Sequence, residues 1–235
     1  VDAVIEHVVL LLDDVVLVAS ARHLFIAPAP VGQLTAVYGV VQYADEEGAR
    51  ERLPRVVVAA DLAGAEGLYA TDTFADVFRD AVQKGVPFTI HAGEAAGAES
   101  VECALNFQAK RIGHGIRCIE NPLVMQELAD RGVVLELCPT SNLNTKIYET
   151  IGDYPIQQLM NKEIRVTVNT DNMMVSDTTE ARELALVADI FNMEKKDVKQ
   201  LIMNGVEAAF ATEVIKNRLR ARVETQFAKV AGIRG

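Results

Sequence analysis

His91-Ala92-Gly93-Glu94 closes the apolar run Val86-Pro87-Phe88-Thr89-Ile90, and the reading of the whole chain turns on that junction. An imidazole and a carboxylate stand three residues apart where a strand would end, which suits a metal ligand and a proton-transfer partner. Three more polar clusters each close an apolar run of their own: Arg111-Ile112-Gly113-His114-Gly115, Cys138-Pro139-Thr140-Ser141-Asn142 and Asn169-Thr170-Asp171-Asn172. The intervals His91 to His114, His114 to Pro139 and Pro139 to Asp171 each fit one strand, one helix and two loops. Repeating βα units build a parallel sheet, and in a closed barrel the working groups come from the C-terminal ends of different strands. The expected fold is α/β, a TIM-type (β/α)8 barrel, with four strand ends meeting at one site.

The segments between the clusters are helical on independent grounds. From Thr73 to Lys84, the residues Phe74, Val77, Phe78, Ala81 and Val82 follow helical spacing, and Gly85 supplies a stop. In the next unit Asn121 is an N-cap candidate with Pro122 at the first helical position, and Gly132 ends the helix before the strand Val133 to Leu137. After Asp171 the pattern is mainly helical, with apolar positions at Leu184, Val187, Ala188 and Phe191, then Val198, Leu201, Ile202, Val206 and Phe210. A helical cap is expected there.

With 50% hydrophobic and 24% charged residues, the 235-residue chain is expected to form one domain over 1–235. The most apolar segment, Val8 to Ala19, is broken by Asp13 and Asp14 and is too short to span a bilayer; it carries no basic leader, so no secretory signal is expected. A net charge of −10 disfavours an extended phosphate-binding surface, so neither nucleic acid nor membrane is an expected partner. Cys103, Cys118 and Cys138 form no CxxC pair and are odd in number, which fits a reducing cytoplasm.

Taken together, Asp61-Leu62-Ala63-Gly64, His91-Ala92-Gly93-Glu94, Arg111 to Gly115, Cys138 to Leu143 and Asn169 to Asn172 resemble the motifs of the adenosine deaminases, within the metal-dependent amidohydrolase barrels. The likeness runs from about Val56 to about Phe210, and Asp171-Asn172 with Val175-Ser176-Asp177-Thr178-Thr179 looks like the bacterial branch. The resemblance implies one zinc ion per chain with His91 and Asp171 among its ligands, and a metal-activated hydroxide attacking purine C6. It implies that Glu94 protonates ring N1, that His114 orients the hydroxide, that Asn172 bonds N7 and that the Gly64 amide meets N3. The implied products are inosine and ammonia, with adenine, another 6-aminopurine or a nucleotide as related substrates.

Each residue by itself has a plainer reading. Glu94 alone suits a helix start. Asp171 and Asn172 suit an N-cap pair, Gly64 suits a turn, and Cys138 suits a small buried side chain. The N-terminal quarter also departs from the family pattern. A His-x-His pair on the family's first strand supplies two zinc ligands, whereas the histidines here are His7, His23, His91 and His114. Strands are expected around Arg22 to Ile26, Val56 to Ala60, Phe88 to Ile90, Arg111 to Ile112, Val133 to Leu137 and Arg165 to Val168. The family's first and third strands are not found, although a closed barrel needs eight and about 250 residues. The intact later motifs favour residues absent before Val1 and near Leu12 and Arg50 over a shortened, non-catalytic purine-binding relative. On that view His7 and His23 are structural.

Overall fold

A computed structural model describes residues 22–25, 36–42 and 56–231. His7, the apolar segment Val8 to Ala19, Ala27-Pro28 and the stretch Glu46 to Arg52 lie outside the described residues.

Among the described residues seven strands hydrogen-bond in chain order: β1 (Arg22–Phe25), β2 (Ala36–Gln42), β3 (Val56–Ala63), β4 (Phe88–Ala92), β5 (Arg111–His114), β6 (Val134–Leu137) and β7 (Arg165–Val168). β3 to β7 run parallel, as βα repeats require, and form the portion of an incomplete barrel that carries every expected site residue. The count of six strands is corrected to seven by β2, whose Val37, Tyr38, Val40 and Val41 have strong strand preference. β1 pairs antiparallel with β2, and β2 antiparallel with β3. The return from β1 to β2 through residues 26–35 is shorter than the dozen or so residues a parallel crossover needs. Among the described residues β1 and β7 are the sheet's edges.

The helices are α1 (Ala75–Gln83), α2 (Ala98–Asn106), α3 (Pro122–Arg131), α4 (Pro139–Asn144), α5 (Ile156–Asn161), α6 (Met173–Ser176), α7 (Glu180–Ile190), α8 (Lys195–Ala208) and α9 (Glu213–Ala231). A 3₁₀ turn over Thr71–Phe74 leads into α1, and Gly85 ends it at φ +66°. The apolar stripe of α1 is narrower than its spacing suggested, because Phe78 is buried against Phe88 and Phe107 while Val77 and Val82 stay exposed. α3 starts and stops as expected. The Asn121 side chain accepts from the Leu123 amide at 3.0 Å, Pro122 opens the helix, and Gly132 closes it at φ +61°.

Strand alternation separates two environments. Ile90, Ile112, Leu135 and Val166 face the helices and are essentially inaccessible, each worth about 1.5–3 kcal/mol of burial. Leu184 and Val187 of α7 and Val198, Leu201 and Val206 of α8 join the same core, so the expected helical cap is present. On the opposite face Arg111 Nε lies 2.8 Å from Glu136 Oε1, and Thr89 Oγ1 donates to Glu136 Oε2 at 2.7 Å. The Arg111 guanidinium stacks 4.0 Å over the Phe210 ring, which draws the end of α8 under the barrel. One register row on this polar face aligns His91, Gly113, Glu136 and Thr167 across four strands. No helix among the described residues is long and apolar enough to cross a membrane.

Candidate active site

His91 projects from the end of β4 with its Nδ1 3.1 Å from Asp61 Oδ1 and 3.2 Å from the Leu62 carbonyl, both on β3. Two acceptors at one nitrogen hold a proton on Nδ1, so Nε2 is the nitrogen turned toward the centre, and it becomes a lone-pair donor when the ring gives up its second proton. Gly113 makes room, since a Cβ there would sit 3.1 Å from the imidazole. Burial pushes the His91 pKa down, but the charge and hydrogen bond of Asp61, then the charges of Asp171 and Glu136, outweigh it and raise the pKa to about 10.

His114 ends β5 at φ +57°, a left-handed conformation uncommon for a side chain of this kind. Alternation alone would group it with Ile112 on the helix side; the turn swings it toward Glu94 instead. The Tyr154 hydroxyl donates to Asn142 Oδ1 at 2.9 Å, which turns the Asn142 amide nitrogen toward His114 Nδ1 at 3.0 Å. An amide N–H can only donate, so Nδ1 accepts and the neutral ring carries its proton on Nε2. That nitrogen lies 3.5 Å from Glu94 Oε2. Burial, and then the charge of His91, hold the His114 pKa well below the usual imidazole range. Burial likewise lifts the Tyr154 phenol well above its ordinary value, so it remains a donor.

Glu94 is half-buried in the turn after β4, and its carboxyl is raised by burial first and by the charge of Asp171 second. Its Oε1 accepts a long contact of 3.4 Å from the Asn142 amide. Asp171 follows β7 at φ +53°, and its Oδ2 accepts from Ser141 Oγ at 2.7 Å. Left-handed backbone at both His114 and Asp171 is the kind of strain that surrounding structure maintains at working sites. Asn172 caps α6, its Oδ1 accepting from the Met174 and Val175 amides at 3.1 Å each, so its amide nitrogen is the half able to donate elsewhere. Gly64 stands at the end of β3 at φ +148°. The structure thus brings His91, Glu94, His114 and Asp171 together, with Gly64 and Asn172 on the adjoining strand ends.

The nearest ligand atoms of His91, His114 and Asp171 all lie within 4.8 Å of one another, a spacing that can enclose a metal ion. The donor chemistry fits. An imidazole whose far nitrogen is held by a carboxylate, beside a second carboxylate, is an arrangement that can hold a divalent metal ion. The Nε2 proton on His114 distinguishes it from His91 and Asp171 and makes it a hydrogen-bond donor beside them.

Several residues that bond to these side chains lie inside the quoted clusters without having been given a role: Asp61, Ser141 and Asn142. Tyr154, Glu66 and Glu183 were not singled out at all. The Glu183 carboxylate accepts from the Thr140 amide at 3.0 Å and from Thr178 Oγ1 at 2.5 Å, tying α4 to the start of α7.

A model of the adenosine deaminase family matches residues 44–226. The chain is 49% identical over 171 residues to an adenosine deaminase of Haemophilus ducreyi, covering 73% of this chain and 50% of that protein. It is 39% identical over 170 residues to an adenine deaminase of Chelativorans, covering 72% and 52%. Among solved structures, adenine deaminase from Arthrobacter aurescens superimposes with a TM-score of 0.70 at 25% identity, over 78% of this chain and 56% of that one. A zinc-bound amidohydrolase from Burkholderia ambifaria gives 0.68 at 25% identity, over 73% and 49%. An Arabidopsis protein complexed with IMP gives 0.67 at 25% identity, over 74% and 50%. The chain spans about half the length of the curated relatives it matches.

Proposed function

The chain belongs to the adenosine deaminase family, and from that premise we propose that its site hydrolyses the C6–amino bond of a 6-aminopurine nucleoside, adenosine foremost and 2′-deoxyadenosine with it. The products are inosine and ammonia. The observation that carries this reading is the junction of a raised Glu94 carboxyl with the Nε2 of a neutral His114 at 3.5 Å, beside His91 and Asp171.

Burial, and then the charge of Asp171, raise the Glu94 carboxyl and so favour its protonated form, from which it delivers a proton to ring N1 as C6 is attacked. His114, fixed as the Nε2–H tautomer by Asn142 and Tyr154, donates to the attacking oxygen and holds it over C6. The Gly64 amide approaches N3, where a missing side chain permits contact, and the Asn172 amide nitrogen donates to N7. His91 and Asp171 would hold zinc, the ion this donor set suits. When bound, it supplies the Lewis acidity that makes water a nucleophile near neutral pH. The free thiols of Cys103, Cys118 and Cys138 suit a reducing cytoplasm.

Adenine and nucleotides are the alternative substrates, in keeping with the relatives named as adenine deaminase and solved with IMP. The test is ammonia release from full-length, zinc-supplemented protein offered adenosine, adenine and AMP in parallel. Adenosine should be converted with the highest kcat/KM. No ammonia from any of the three would overturn the deaminase reading; preference for adenine or AMP would replace adenosine.

A further inference from the structure

Glu66, two residues beyond Gly64, reaches across from the loop after β3 to the turn after β4. Its carboxylate accepts the backbone amides of four consecutive residues: Gly93 at 2.6 Å, Glu94 at 3.0 Å, Ala95 at 2.7 Å and Ala96 at 3.1 Å. The Ser100 hydroxyl donates a fifth bond. Because an ionised carboxylate only accepts, the Ser100 proton points at Glu66, and the Thr71 hydroxyl 2.8 Å away donates to Ser100 in turn. The Glu66 amide itself donates to the Gly64 carbonyl at 3.0 Å.

Four successive amides converging on one point make an anion cradle in the backbone. Gly93 shapes it, since its φ of +71° and the 2.5 Å that a Cβ would leave to Val101 Cγ2 exclude other residues there. The cradle is filled by a side chain of this chain, and one of its walls is the backbone of Glu94. Hydrogen bonds from N–H to a carboxylate are among the stronger ones, and four of them fix the peptide planes from which the Glu94 side chain departs.

We infer that Glu66 is a positioning residue for the reaction: by filling the Gly93–Ala96 cradle while its own amide holds Gly64, it sets the distance between the proton donor at N1 and the backbone contact at N3. The inference rests on the deaminase reading above. A purine presents N1 and N3 on the same ring, so the two loops must keep one separation for both contacts to form, and Glu66 is the tie between them. Uncoupled loops would still admit the base, but Glu94 would reach N1 in only a fraction of bound complexes. Loss of Glu66 therefore falls mainly on kcat.

The experiment uses full-length protein loaded with zinc. Glu66→Ala empties the cradle, and a cavity of about 690 Å³ lined by Glu66, Ser100 and Arg117 gives a small anion access to it. Glu66→Ala should lose at least a hundredfold in kcat with KM changed less than fivefold, and millimolar formate should restore at least tenfold of the loss, in a saturable way that chloride does not imitate. A kcat within twofold of wild type, or a loss that formate leaves untouched in a folded, zinc-replete variant, would overturn the inference. If Glu66→Ala does not fold, Glu66→Gln decides, because it keeps the shape but turns an NH2 group against the backbone donors. A tenfold or greater fall in kcat at unchanged zinc content is expected, and wild-type kcat overturns the idea. Should neither fold, Ser100→Ala carries the test, with a two- to fivefold fall in kcat expected and no change contradicting it. Wild-type protein assayed alongside separates the two claims: an inactive wild type removes the deaminase reading and this inference with it, whereas an active wild type with an unaffected Glu66 variant removes the inference alone.

Discussion

His114 presents Nε2 to Glu94 Oε2 at 3.5 Å while its Nδ1 is occupied by the Asn142 amide, so one ring nitrogen is structurally committed and the other faces the Glu94 carboxyl. The orientation is transmitted from Tyr154, twelve residues beyond Asn142 and fully buried. A phenol that stays protonated fixes an amide, the amide fixes a tautomer, and the tautomer decides which way His114 can donate.

Tyr154→Phe removes the first link and leaves Asn142 Oδ1 buried without its donor. Such a loss costs about 1–3 kcal/mol of stability, and kcat should fall by roughly tenfold as the amide and the imidazole lose their fixed orientation, on the scale of a general acid–base contribution. Steady-state kinetics and a melting curve check both parts. Unchanged kcat in a destabilised variant would confine Tyr154 to a packing role.

The metal account makes a separate demand on His91 and Asp61. His91→Ala should lose bound zinc, read as metal per chain after dialysis. Asp61→Asn, which weakens the hold on Nδ1, should lower zinc affinity by about 10–100-fold. Full zinc occupancy in His91→Ala would remove it from the ligand set.

Glu94→Gln keeps the size of the side chain and its place above the Glu66 cradle but gives up the acidic proton. Zinc content and purine affinity should stay near wild type while kcat falls by about 10²-fold or more. Calorimetric titration with a non-hydrolysable purine, set beside turnover, separates the two. Turnover near the wild-type rate would contradict the assignment of Glu94 as proton donor.

Glu180 at the start of α7 is a half-buried acid with an enclosed carboxyl oxygen, outside the proposed mechanism. Burial first, and the neighbouring Glu183 second, raise its pKa to about 8, and among the described residues its Oε2 has no hydrogen-bond partner. The folded state therefore holds this proton more tightly than the unfolded chain, whose carboxyl titrates near 4.5. Stability from this group is complete below about pH 4.5 and is lost as pH rises to about 8. Glu180→Gln should match wild type in acid and exceed it increasingly through that window, by on the order of 5 kcal/mol at alkaline pH, since each tenfold change in proton affinity is worth about 1.4 kcal/mol. Melting temperatures across pH measure it; a constant difference at all pH values would refute the buried-acid account.

The parts of the fold that sequence made legible are those in which local chemistry and tertiary role coincide. β4 to β7 end where apolar runs meet His91, His114, Cys138 and Asn169, because a barrel's strands are apolar toward its helices and carry function at their ends. Asn121, Pro122 and Gly132 mark α3 because capping is local. β2 was missed although Val37, Tyr38, Val40 and Val41 favour a strand, since a βα repeat calls for a parallel third strand in that interval and β2 runs antiparallel to both its neighbours. Tyr154 and Glu66 were invisible for a different reason. Their importance lies in bonds to Asn142 and to the Gly93–Ala96 amides, and no periodicity announces a side chain that reaches another loop. The left-handed backbone at His114 was likewise unreadable, although it decides which face of the sheet that imidazole serves.

The central claim is hydrolysis at purine C6 by the Glu94–His114 centre, and the most direct measurement is mass spectrometry of the purine product after full-length, zinc-loaded protein has acted on adenosine in heavy-oxygen water. The account predicts inosine carrying one solvent oxygen at C6, one ammonia per inosine, and loss of both with Glu94→Gln. Unlabelled inosine, or unchanged adenosine alongside intact zinc binding, would contradict it.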